Sequence, residues 1–135
     1  MDAIAHRLIF ALAQSPHFRR VRERGELAHL PRDLEALSLE NLDVDDSTLE
    51  ALPYFPRLRC LDLDGTAISD ETLRWVARQS LLEELWLECT DLTDAGLLQL
   101  RTLSRLRFVS LAHVGVTGSG VAALRSALPG LEVSA

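Results

Sequence analysis

A 24-residue period runs through the middle of the chain and constrains its fold more than any other feature. Leu58, Leu61 and Leu63 are followed by Leu82, Leu85 and Leu87; Thr66 and Ile68 recur as Thr90 and Leu92; Asp70, Leu73 and Val76 recur as Asp94, Leu97 and Leu100. A fixed period of this length means one strand-plus-helix unit laid beside the next, each burying its apolar face against its neighbour. The pattern extends in both directions. Leu34/Leu37/Leu39 precede the two clearest units, Leu106/Val109/Leu111 follow them, and a fifth strand begins at Leu131 and Val133, shifted by one residue.

Within a unit the leucines alternate with other residues, which makes a short strand with leucines facing inward and the residues between facing out. A turn residue follows (Val44, Ile68, Leu92, Val116), then Asp45, Ser69, Thr93 or Thr117. These are helix N-cap types at one fixed position. Asp46, Asp70 and Asp94 come next, where an acid in a first turn meets the positive end of the helix dipole. Leu49/Leu52, Leu73/Val76, Leu97/Leu100 and Val121/Leu124 then supply the inward faces of short helices.

The motif L-x-x-L-x-L-x-x-T-x-[IL]-[ST]-D-x-x-L over about residues 34–135 resembles that of leucine-rich repeat proteins, in the ribonuclease-inhibitor-like style of bacterial-looking sequences. The resemblance implies an α/β solenoid: a short horseshoe arc with a parallel sheet on the concave side and short helices on the convex side. Two departures stand out. The family's Asn or Cys after the strand is Thr66 and Thr90 in the middle units, whose hydroxyls can bond the loop backbone, but Leu42 and Val114 in the flanking units, which cannot. The fourth unit is glycine-rich at Gly115, Gly118 and Gly120.

Residues 1–33 stand outside this register and read as a helical N-terminal cap of the single domain, the atypical first unit that a repeat array needs at its end. Ile4, Leu8 and Leu12 predict an amphipathic helix over about residues 2–13. Ser15-Pro16 reads as the start of a second helix, with Phe18 and Val21 on its apolar side and Arg19, Arg20, Arg22 and Arg24 on the other.

Charge separates the same two parts. Residues 1–33 hold six arginines and four acids, whereas 34–135 hold eight arginines and sixteen acids. The chain has no lysine. An acidic repeat surface disfavours nucleic acid and anionic membrane and favours a basic protein partner. No apolar run approaches the roughly 20 residues of a membrane span. Cys60 and Cys89 have no metal or disulfide spacing, and the repeat register places them too far apart to bridge; both are expected as reduced thiols in a cytoplasmic protein.

No catalytic, cofactor or metal motif appears. The histidines, His6, His17, His29 and His113, are scattered, and His113 beside Cys89 in the neighbouring unit lacks a third member, so the expectation is a non-enzyme. The outward strand positions carry the chemistry. One column reads Ala36, Cys60, Glu84, Phe108; the next Ser38, Asp62, Trp86, Ser110; the third Glu40, Asp64, Glu88, Ala112. Acids flanking two aromatics have the make-up of an interface anchor. The expected site for a basic protein partner is therefore Trp86, Phe108, Glu40, Asp62, Asp64, Glu84 and Glu88, as in an inhibitor or immunity-like protein. Trp86 is expected to be exposed, and Trp86→Ala to spare the fold. Trp75 is expected to pack at a helix flank. The alternative is an assembly subunit that homodimerises through the open edge of its C-terminal repeat.

Overall fold

The computed structural model describes residues 7–135. The 24-residue period is realised as one parallel sheet in strict chain order: β1 (Phe18–Arg20), β2 (Ala36–Ser38), β3 (Cys60–Asp62), β4 (Glu84–Trp86), β5 (Phe108–Ser110) and β6 (Glu132–Ser134). Leu37, Leu61, Leu85, Val109 and Val133 are register partners, each 24 residues from the last. The last strand thus pairs in step with the repeat and is not offset as a whole; Leu131 is buried just before it.

Helices α2 (Asp46–Glu50), α3 (Asp70–Val76), α4 (Asp94–Leu98) and α5 (Gly118–Ala127) follow the middle strands. The main core lies between helices and sheet, built from fully buried leucines at the repeat positions, among them Leu34, Leu37, Leu49, Leu58, Leu61, Leu73, Leu82 and Leu85. Trp75 belongs to it: the indole packs edge-on to Phe55 and donates to the Leu52 carbonyl at 3.3 Å. Gln79 occupies a position that is Phe55 one unit earlier and Leu103 one unit later. Its side chain is fully buried, accepts from Phe55 N at 3.0 Å and donates to Trp75 O at 3.0 Å, so its polarity is satisfied.

The expected N-caps hold at Asp45, Thr93 and Thr117, whose side chains accept from Thr48, Gly96 and Gly120 backbone N–H groups. Ser69 makes no such cap. Its hydroxyl donates to Asp46, one unit back. The acids after the caps do more than face a dipole. Asp46 accepts from Ser69 N, Asp70 from Thr93 N and Oγ1, and Asp94 from Thr117 N and Oγ1, at 2.6–2.9 Å. Each carboxylate therefore ties its helix to the start of the next. Thr66 and Thr90 donate to Leu63 O and Leu87 O at 2.7 and 2.6 Å, as the hydroxyl argument requires.

The leader departs from expectation. Of the helix expected over 2–13, α1 (Leu8–Leu12) falls in the described residues; the part over 1–6, with Ile4 and His6, lies outside them. The second helix is absent. Phe18–Arg20 instead form β1, which pairs with β2 through Phe18↔Ala36 and Arg20↔Ser38, and a 3-10 turn follows at Arg24–His29. The backbone groups of 18–20 are drawn into the exposed ladder of β2, and a local helical pattern of two apolar residues does not outweigh that pairing.

Candidate functional site

The strand register sets the three outward columns side by side. Phe18 joins the first: Phe18, Ala36, Cys60, Glu84, Phe108, Glu132. Arg20 joins the second: Arg20, Ser38, Asp62, Trp86, Ser110, Ser134. All seven expected site residues lie on this face or in the turns just after it. They do not share one environment, because α1 lies across the first column.

A second apolar cluster results, separate from the leucine core. Ile9, Ala36, Cys60, Trp86 and Phe108 are buried in it, with Leu8, Leu12 and Phe18 packed against them. Trp86 and Phe108 stack with ring centroids 5.2 Å apart, and Arg7 lies over the Phe108 ring at 3.8 Å. The expectation of exposed aromatics is thereby overturned: Trp86 is 8% exposed and Phe108 4%. Truncating Trp86 would empty a packed site, so Trp86→Ala should cost the fold about 3–5 kcal/mol. The mutation no longer isolates binding from folding.

Glu84 is also buried, and its carboxylate is committed. It accepts from the backbone N–H groups of Leu8 and Ile9 at 2.7 and 3.2 Å and from the Trp86 indole N–H at 2.9 Å. A carboxylate on the first N–H groups of a helix satisfies donors that have no partner within the helix. Glu84 is thus the anchor of α1 rather than a free acid. Burial, and then the neighbouring Glu84 charge, push the Cys60 thiol far up, so it stays protonated. Cys60 and Cys89 are both free thiols, one buried and one exposed.

The third column stays open beyond the end of α1, whereas Ser38, Asp62, Trp86 and Ser110 of the second are buried. Glu40 is exposed, Asp64 and Glu88 are half-buried, and Asp62 is 6% exposed. Asp64 accepts from Glu88 N at 2.7 Å, and Glu88 accepts from the Ser110 hydroxyl. Burial pushes Asp62 up to about 6. Burial and then the Asp62 charge push Asp64 up to about 7. The basic group here is Arg20, 3.6 Å from Glu40. It was expected on a helix face; as a strand residue it points at the acids. On the other side of the face a mixed ladder, Glu35–Arg59–Glu83, is internally paired at 3.4 and 2.7 Å.

No family model matches the chain, and no curated protein matches it. Solved structures do. Over 82% of this chain and 75% of the other, it is similar to the leiomodin-1 actin-binding site 2, at 12% identity and a TM-score of 0.61. It is also similar to the internalin InlF of Listeria monocytogenes, over 76% of this chain and 35% of that one, at 18% identity and a TM-score of 0.48. The fold is leucine-rich-repeat-like. At 12% identity, the likeness to the leiomodin-1 site bears on the fold alone.

Among the described residues no group of three or more histidines, cysteines, aspartates or glutamates is arranged to hold a metal ion. No described helix is long and apolar enough to cross a membrane. Cys89 and His113 hold equivalent turn positions and both are exposed.

Proposed function

We propose that the chain is a non-catalytic protein-interaction module, working in a reducing, cytoplasmic setting, that holds a basic protein partner on the open part of its acidic face. The observation that carries this reading is the set Glu40, Asp62, Asp64 and Glu88, four carboxylates of which, among the described residues, Glu40 alone is ion-paired, to Arg20. Uncompensated like charges in adjacent columns cost stability, and a cationic partner relieves that cost. The repeats, 34–135, supply this surface as an arc; residues 1–33 act as its cap. Leiomodin-1's matched region is an actin-binding site, which fits protein recognition on such a scaffold without naming a partner here.

The test is affinity capture beside a Glu40→Arg/Glu88→Arg double variant, two residues that are not buried. A basic protein retained by the wild type, lost by the variant and released by salt is the expected result. Equal retention by both would move the site off this face. A second reading, self-association, rests on β6, one of the two outer strands of the sheet, with half-buried Val133 at its centre. It predicts a mass that rises with concentration in sedimentation and falls back with Val133→Pro.

A further inference from the structure

Beside the open part of the acidic face lies a small, half-open space. It is a cavity of about 160 Å³, walled by Ile9, Phe10 and Ala13 of the leader, by Phe18 of β1 and by Trp86 of β4, with Glu40, Asp62, Asp64 and Arg20 completing it. Pockets for drug-sized ligands run to about 300–1,000 Å³, so this one admits a head group and a short alkyl stem.

Its chemistry is specific. Aromatic and apolar walls meet carboxylates at one end. Asp62 is more than nine-tenths buried, and its carboxylate makes one hydrogen bond among the described residues, to its own turn, from Asp64 N at 2.9 Å to Oδ1. Among the described residues no fully buried side-chain oxygen lacks a partner, so the other oxygen keeps some exposure, and the residue lines the cavity. Arg20 is half-exposed and pairs with Glu40. That leaves Asp62 and Asp64 without a cation within ion-pair distance among the described residues. A carboxylate set among apolar side chains calls for a charge-assisted donor. Trp86 and Phe18 line the same space, and aromatic rings attract a cation more than a neutral donor.

We propose that this cavity is a receptor for one organic cation, a guanidinium or ammonium head on a short stem, with Asp62 as its counter-ion and Trp86 and Phe18 as its walls. On the reading above, which this proposal deepens, the cation is a single basic side chain of the protein partner. The leader then has a second role: α1 and β1 build the apolar half of a receptor whose charged half belongs to the repeats.

The probe is ethylguanidinium, followed by NMR through the two indole N–H signals. Trp86 lines the cavity, and Trp75, bonded to Leu52 O in the leucine core, is the internal control. The expected result is a saturable shift of the Trp86 signal alone, no shift with ethylurea, and affinity weakened at least tenfold in Asp62→Asn. Asparagine can keep the turn bond to Asp64 N; Asp64→Asn serves as a second variant of the same charge change. No shift, equal shifts of both indoles, or unchanged affinity in both variants would overturn the proposal. An arm with a blocked Gly-Arg-Gly peptide separates sources. Binding of both probes supports a partner's side chain, and binding of ethylguanidinium alone supports a free small cation. If a basic protein is captured in a Glu40/Glu88-dependent way while ethylguanidinium leaves Trp86 unmoved, the cavity falls and the face stands. If ethylguanidinium binds and no partner depends on Glu40 and Glu88, the face reading falls and the cavity stands.

Discussion

Asn41, Gly65, Cys89 and His113, spaced 24 residues apart, all have left-handed backbone, with φ of 57°, 67°, 57° and 59°. The turn after each strand demands that conformation, which glycine adopts freely and other residues adopt at a cost of roughly 1–2 kcal/mol. Cys89→Gly should therefore stabilise the fold by about 0.5–1 kcal/mol, after allowing for glycine's greater freedom in the unfolded chain; urea denaturation at equal m-value measures it. Gly65→Ala should do the opposite, since a Cβ there would sit 2.1 Å from Asn41 Oδ1. The turn position is visible in the sequence as a column, but its residues share no chemistry, and backbone handedness leaves no common side chain to detect. At the acids, Asp62 and Asp64 bind a proton more tightly in the folded chain than in the unfolded one, because burial disfavours their charge. Stability should accordingly fall as pH rises through about 6–7. Asp46 has the opposite sign: although burial pushes it up, hydrogen bonds from Ser69 and Thr72 hold it below the ordinary range, so its contribution is lost in acid. The melting temperature should rise from pH 8 to about pH 5 and fall below the ordinary aspartate range near 4. Asp62→Asn/Asp64→Asn should flatten the upper limb and leave the lower one.

Between elements, the carboxylate after each N-cap is the main polar joint. Asp70 bonds both Thr93 N and Thr93 Oγ1, and that hydroxyl in turn accepts from Gly96 N at 3.4 Å. A Cβ on Gly96 would fall 1.9 Å from Asp70 Oδ1, which is why a glycine stands where the preceding unit has Thr72. Thr72 instead donates its hydroxyl to Asp46, so the position either leaves room for the acid or bonds it. Asp70→Ala should cost about 1–2 kcal/mol in thermal or urea unfolding, and the protection of α4 amides from exchange should fall first. Strands β2 to β5, their register, three N-caps and the Thr66 and Thr90 turn bonds were legible because each is a local pattern repeated; Trp75, expected at a helix flank, is a core residue. β1 was not legible. A three-residue strand is too short to display a period of two, and Phe18 and Val21, three apart, imitate a helical face. What decides the matter is the ladder of β2, which lies 18 residues on.

At the scale of the molecule, the docking of α1 is the feature that periodicity could not announce. Its docking joins Leu8 and Ile9 to Glu84, 76 and 75 residues away, and Arg7 to Glu132, 125 residues away. Three of the four repeat positions in the first outward column, Ala36, Cys60 and Phe108, are non-polar, which in hindsight is the signal that something covers them. Trp86 and Phe108 were correctly placed on the face, but its open part belongs to the acids. In a stack of repeats each unit touches its neighbours, and such stacks come apart in stages from their ends. Here the leader runs from Arg7, beside Glu132 of β6, back to β1, a string tied across the sheet. Glu84→Gln with Arg7→Ala, which unfastens it, should turn one cooperative unfolding transition into two and should let the amides of β6 exchange ahead of those of β3. The same string ties the first strand to the last, so any ligand of the outward face would meet six strands held as one body and not a stack free to flex.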